Sequence, residues 1–143
     1  AANKEQTVKK LNSIVKKREN FRPLAPVMLR PSAQKYFKIA KKASHCYQWM
    51  ALTAKAFDNF PMEYKGILHV DKTSRIQILD NENHPLYKFL VRNKGKVDML
   101  VNTSFNVAGD PIVFDGIDCY VNMKRLGTKY LLTDDGLYSI KAS

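Results

Sequence analysis

The sequence predicts an α/β fold, a mixed sheet with helices packed on it. Three observations carry that expectation. Short β-prone runs such as APVML at 25–29 and IQIL at 76–79 alternate with helix-length segments. Two of those segments carry both a start and a stop, Pro85 with Gly95 and Asp115 with Gly127. Two apolar runs near the C-terminus flank Asp135-Gly136, a hairpin signal.

Taken in order, residues 4–17 read as a helix with Val8, Leu11 and Val15 on one stripe and Lys9, Lys10 and Lys17 largely toward water. Asn3 and Gln6 imitate a capping box. Pro23 disfavours helical backbone at Arg22, so this helix is expected to stop by residue 20. A strand follows at 25–29. Pro31-Ser32 then opens a helix over 32–43, with Tyr36, Phe37, Ile39 and Ala40 packing and Lys35, Lys38, Lys41 and Lys42 outside. Residues 45–56 fit a buried strand near 47–52 or more helix, with Trp49 and Met50 expected in the core. Strands are expected at 66–71 and 74–79, the second alternating Ile76 and Ile78 with Arg75 and Gln77. After a turn at 80–83, the helix from Pro85 turns Leu86, Phe89 and Leu90 inward. A strand over 97–101 runs into the polar loop NTSFNVAGD. A strand at 111–114, a helix capped by Asp115, and the hairpin strands 129–132 and 137–140 complete the chain. No repeat, low-complexity tract or linker interrupts it, so residues 1–143 are expected to form one domain.

A chain of 143 residues with 45% hydrophobic content is a folded globule, not a basic tail. No apolar run approaches the roughly 20 residues of a membrane helix, and the first residues lack a signal peptide's apolar core. A cytoplasmic setting follows, with Cys46 and Cys119 as buried reduced thiols. The opening directly into a polar helix is what a fragment of a longer chain would show. Lys and Arg number 24 against 13 Asp and Glu, a net charge of +11. Such an excess implies an anionic partner without choosing among nucleic acid, nucleotide, phosphorylated small molecule and acidic protein surface.

Two stretches look chemical. Residues 16–26, KKRENFRPLAP, gather Lys16, Lys17, Arg18 and Arg22 around Glu19. A solvated basic helix end accounts for this on composition. Pro23 and Pro26, which stiffen the segment holding Arg22, favour a fixed anion, since guanidinium matches phosphate oxygens in pairs. The loop Asn102-Thr103-Ser104-Phe105-Asn106 offers small polar side chains and backbone N–H groups at a strand end, where α/β sheets bind ligands. Asn and Ser also simply make turns. His69 and Asp71 would share a strand face, but no third ligand stands at metal spacing, so no metal site is expected.

Three texts in order, KKRENFRPLAPVML, HVDKTSRIQIL and MLVNTSFNVAGDPIV, resemble the C-terminal domain of the NodU/CmcH O-carbamoyltransferases. The resemblance spans roughly residues 11–132. It implies a YrdC-like α/β fold with a basic concave cleft. It also implies use of ATP, with its Mg²⁺, and carbamoyl phosphate to make carbamoyl adenylate. Transfer to a hydroxyl would then belong to a separate N-terminal domain of the actin/hexokinase-like type. By the same resemblance Lys16, Arg22 and Arg75 act on the reacting phosphates, and Arg18, His69, Asp71, Thr73, Asn102, Ser104 and Asn106 hold the nucleotide. There are two departures: Lys72 stands where the family usually has Gly, and Asp110 replaces the usual Glu before Pro111.

An RNA-binding module and a threonylcarbamoyl-adenylate synthase are the alternatives. The first lacks aromatics interleaved with its cations. The second fits the FRPLAP and NTSFN text less well than the carbamoyltransferase version does.

Overall fold

The computed structural model describes residues 1–2, 5–15 and 22–140. Lys16, Lys17, Arg18, Glu19 and Asn20 therefore lie outside the described residues, as does the side chain of Val15. The chain divides into two compact units, residues 1–9 with 21–103, and residues 10–20 with 104–143.

The first unit holds two small sheets. One has the order β5-β1-β6, with β1 (Ala25–Leu29) parallel to β5 (Gln77–Leu79) and antiparallel to β6 (Met99–Asn102). The other joins β2 (Phe37–Lys38), β3 (Ala54–Ala56) and β4 (Thr73–Ser74) antiparallel. Strands and helices of both kinds make this the α/β fold with mixed pairing that the alternation predicts.

Strand β1 is buried on both faces. Met28 faces one apolar cluster with Phe37, Tyr47, Ile67 and Ile78, while Val27 packs in a second with Leu79 and Leu90. Helix α2 (Arg30–Tyr36) and helix α3 (Pro85–Arg92) supply Ala33, Tyr36 and Leu90 to these clusters. Helix α1 (Glu5–Lys10), continued by wider π turns at Leu11–Val15, buries Val8. A Cβ on Gly66 would stand 3.0 Å from Val8 Cγ2, so the close approach there requires glycine.

Several boundaries moved, each for a tertiary or local reason. The helix expected over 32–43 ends at Tyr36, because Phe37 pairs with Ala56 and is almost fully buried in the sheet. A separate 3-10 helix, Lys41–Trp49, kinked at Ala43, follows, and β3 settles the open segment as helix first and strand after. Trp49 is 78% exposed, not core, and Leu86 and Phe89 are covered only in part while Leu90 is buried.

Residues 66–71 are not a strand. A 3-10 helix, Met62–Ile67, gives way to a turn in which the Asp71 carboxylate takes the Thr73 N–H (2.9 Å). Such side-chain capture of backbone competes with sheet pairing. The 74–79 run splits, Ser74 pairing in one sheet and Gln77–Leu79 in the other, with its in-out alternation kept. No strand forms at 111–114, where the Phe114 N–H is donated to the Asp118 carboxylate (3.1 Å).

In the second unit, Asp115 caps helix α4 (Gly116–Leu126) by accepting the Asp118 N–H (2.9 Å). Gly127 ends it at φ 63, the left-handed conformation that favours glycine. Strands β7 (Tyr130–Leu132) and β8 (Leu137–Ser139) form the expected hairpin. Among the described residues no helix is long and apolar enough to cross a membrane. Cys46 and Cys119 are free and half-buried.

Candidate functional site

Register places the predicted residues of the first unit. Ala25 pairs with Asn102, and Val27 pairs in parallel with Gln77. The starts of β1 and β5 and the end of β6 therefore lie at one end of the sheet. Arg22 leads into β1 and Arg75 leads into β5, so both arginines approach the end where Asn102 sits. Loops leave the carboxyl ends of parallel strands in doubly wound sheets, yet here β6 is antiparallel, and its carboxyl end meets the amino ends of β1 and β5.

Asn102 Nδ2 donates to Gln77 Oε1 (2.8 Å), and Gln77 Nε2 donates to the Gln48 carbonyl (3.2 Å). Gln77 is a member the sequence reading missed as a site residue. Its signal was an amide inside the apolar run IQIL, which an ordinary outward-facing strand position also explains.

The turn before Arg75 is organised around Thr73. The Thr73 hydroxyl donates to Asp71 Oδ1 (2.7 Å), and its oxygen lies 3.0 Å from His69 Nδ1. A hydroxyl has one proton, so once it is given to the carboxylate the oxygen must accept from His69 Nδ1–H. The other ring nitrogen, Nε2, is not engaged by that bond. Hydrogen bonds from the Thr73 hydroxyl, then from its backbone N–H, hold the Asp71 carboxyl below its ordinary range, with His69 adding a smaller pull.

Backbone bonds from His69 N–H to the Thr73 carbonyl (2.8 Å) and from Lys72 N–H to the His69 carbonyl (3.0 Å) close the turn. Lys72 sits at φ 62. It adopts the backbone conformation in which glycine is favoured, so the departure at this position leaves the turn in place.

The cations of this unit fall into two kinds. Arg30 grips Asp80 with both Nε (2.9 Å) and Nη2, and Gln48 adds a third bond to that carboxylate (2.9 Å). Lys35 and the Tyr36 hydroxyl together hold Asp98. These pairs draw both carboxyls below their ordinary range, Arg30 chiefly for Asp80 and the Tyr36 hydroxyl chiefly for Asp98. Arg75, by contrast, is exposed and makes no ion pair or hydrogen bond with any described residue. An exposed guanidinium without such a carboxylate among the described residues is suited to a planar oxyanion.

At the carboxyl ends of β1 and β5 a cavity of about 400 Å³ is lined by Leu29, Leu79, Tyr87 and Leu90, with Arg30 committed to Asp80. None of the predicted residues that are described lines it.

Ser104 and Asn106 belong to the second unit. Ser104 Oγ donates to Asn106 Oδ1 (2.6 Å), and Asn106 Nδ2 donates to the Asp110 carbonyl (2.6 Å), shaping their own loop around Gly109 at φ 88. The Asp110 carboxylate pairs with Arg125. Lys16 and Arg18 lie outside the described residues. Among the described residues no three His, Cys, Asp or Glu side chains gather to hold a metal.

Comparison with known proteins adds a family. The sequence model described as Carbamoyltransferase C-terminus matches residues 1–139. Nodulation protein NolO of Bradyrhizobium diazoefficiens is 30% identical over 132 residues, covering 90% of this chain and 23% of that protein. Nodulation protein NolNO of Sinorhizobium fredii is 31% identical over 141 residues, covering 96% of this chain and 19% of that protein. Nodulation protein U of Azorhizobium caulinodans is 28% identical over 108 residues, 73% of this chain and 19% of that protein. The chain thus spans about a fifth to a quarter of the length of these relatives.

Proposed function

The chain belongs to the carbamoyltransferase C-terminus family, and on that premise we propose that it activates the carbamoyl group for an O-carbamoyltransferase. Its substrates in this reading are ATP and carbamoyl phosphate. The observation that carries the reading is the exposed Arg75, without a partner among the described residues, next to the His69–Thr73–Asp71 turn, at the sheet end that Arg22 and Asn102 approach. The YrdC-like architecture, the concave basic cleft and a cytoplasmic setting belong to the same proposal.

In the reaction, water hydrolyses carbamoyl phosphate, its bond to the phosphate group breaks and inorganic phosphate leaves, and the resulting carbamate attacks the α-phosphorus of ATP. A carbamate oxygen–phosphorus bond forms, the bond from the α-phosphorus to the bridging oxygen breaks, and pyrophosphate leaves with that oxygen. Both reactants are anions, so the protein's task is to neutralise and align them. Two unit charges 4 Å apart interact by about 4 kcal/mol at an effective dielectric of 20, enough for a few cations to decide binding. Arg22 and Arg75 carry that role, with Lys16 and Arg18 as further phosphate ligands. His69 serves in this reading as a hydrogen-bond partner of the nucleotide or the carbamoyl group. Asn102, Ser104 and Asn106 supply neutral donors. Mg²⁺ enters with ATP and is held through the phosphates.

Transfer to the hydroxyl falls to an N-terminal actin/hexokinase-like domain of the larger enzyme. The short span of this chain relative to its relatives supports that division.

Pyrophosphate release tests the reading. It is expected from ATP only when carbamoyl phosphate is present, and calorimetry is expected to show nucleotide binding weakened about tenfold or more in Arg22→Ala and Arg75→Ala. Arg75→Lys should recover little, because an ammonium cannot reproduce the bidentate geometry. Equal affinity in both alanine variants would sink the site assignment.

A further inference from the structure

The antiparallel register of the second sheet sets Lys38 directly opposite Lys55, and Lys55 directly opposite Thr73. Residues facing across adjacent strands share one side of the sheet, about 5 Å apart. The other side is the buried one, with Phe37, Ala54, Ala56 and Ser74 all nearly inaccessible. Lys38 and Lys55 are exposed.

Like charges placed directly opposite destabilise a sheet, and among the described residues no carboxylate pairs with either lysine. Neither lysine makes an ion pair with a described residue, and Lys38 Nζ rests 6.0 Å from the Phe57 ring centroid. The exposed side of the strand run continues from Thr73 to Arg75, which is equally unpartnered. The same unit neutralises Arg30 and Lys35 with carboxylates. Two lysines held directly opposite each other on the exposed side of a sheet, with Arg75 further along that side, form a surface suited to an external anion.

Resting on the functional reading above, we propose that Lys38 and Lys55 bind the terminal phosphates of the nucleotide. Arg75 meets the reacting phosphates in that reading, and the row leads away from Arg75 across β4, β3 and β2. The phosphates that depart as pyrophosphate are the ones positioned to lie along it. The two lysines thereby select a triphosphate over a monophosphate and stabilise the leaving group. Lysine suits this part of the ligand, as a mobile point charge that follows a departing anion.

The test titrates ATP, AMP and inorganic tripolyphosphate into the protein and its Lys55→Glu, Lys55→Gln and Lys38→Ala variants. Lys55→Glu is expected to weaken ATP and tripolyphosphate about tenfold while changing AMP less than twofold. The ligand-free melting temperature of Lys55→Glu should rise, since a Lys–Glu pair replaces a Lys–Lys pair, and this also shows that the variant folds. Lys55→Gln and Lys38→Ala should show smaller losses of the same selectivity. Unchanged ATP and tripolyphosphate affinity in Lys55→Glu, alongside weakened binding in Arg75→Ala, would overturn this inference and leave the functional reading standing. Absence of nucleotide binding in the unsubstituted protein would overturn the functional reading and this inference with it. Single-stranded RNA binding lost in Lys55→Glu, with ATP binding intact, would assign the row to nucleic acid instead.

Discussion

Lys72 holds φ 62, a conformation that disfavours an L side chain by about 1 kcal/mol. Lys72→Gly is therefore expected to raise stability by about that amount, partly offset by the greater freedom of glycine in the unfolded chain. Urea unfolding reads the change, and a clear loss of stability would show that the lysine side chain holds the turn. On either side of it, Asp71 and Thr73 make a second test. Asp71 is held ionised chiefly by the Thr73 hydroxyl. Thr73→Val keeps the shape and removes that bond, so the Asp71 carboxyl should titrate closer to the ordinary value of about 3.9. Because the folded carboxyl is depressed, its contribution to stability is present above that ordinary value and fades as pH falls below it. NMR titration of Asp71 in both proteins decides the matter; an unchanged midpoint would mean that the hydroxyl is not the main cause.

At the scale of elements, the clamp of Arg30 on Asp80 joins the start of α2 to the residue after β5. Asp80 is also depressed, mainly by Arg30. Asp80→Asn should accordingly destabilise the protein at pH 7. The effect starts to fade as pH drops below the ordinary carboxyl value of about 3.9 and is lost only below the depressed value of the folded carboxyl. Equal destabilisation at pH 7 and below that depressed value would assign the loss to packing. Gly66 tests the seat of α1. Its missing side chain admits Val8 Cγ2 to 3.0 Å of the ideal Cβ position, and a β-branched neighbour has little freedom to yield. Gly66→Ala should cost about 1 to 3 kcal/mol, with Gly66→Ala/Val8→Ala recovering part of it. A neutral Gly66→Ala would show that the helix shifts without penalty.

For the whole molecule, the second unit leaves much apolar surface in water. Ile112, Phe114, Ile117, Tyr130, Leu132 and Leu137 are all well exposed, Phe114 at 95%. Contiguous exposed apolar area marks interaction surfaces. It agrees with the proposal that a larger enzyme surrounds this chain. Acceptor carbamoylation is thus expected only when an N-terminal half is supplied, in cis or as a separate polypeptide. Without it the products should be pyrophosphate, AMP and hydrolysed carbamate, since an unsealed carbamoyl adenylate meets water. Mass spectrometry of a hydroxyl-bearing acceptor with and without that half reads the difference. Robust carbamoylation by residues 1–143 would overturn the division of labour.

What the sequence determined by itself was everything set by local chemistry or by a run of text. Strand Ala25–Leu29, the Asp115 cap and Gly127 stop of α4, and the Asp-Gly hairpin stand where the residues put them. Each depends on neighbours within a few positions. The family, too, was legible in three ordered motifs, and the match over residues 1–139 agrees.

Only the tertiary structure decided how those pieces combine. The 74–79 run gave no sign that it would change sheets at Arg75, because both halves keep one alternation while their partners lie far away in sequence. The helix expected over 32–43 gave way at Phe37, whose burial against distant strands outweighs local helix preference. Lys38 and Lys55 were read as a helix decoration and an unremarked charge. Their opposition exists only because two short strands pair in one register, and register is a property of the assembled sheet, set by which faces must be buried.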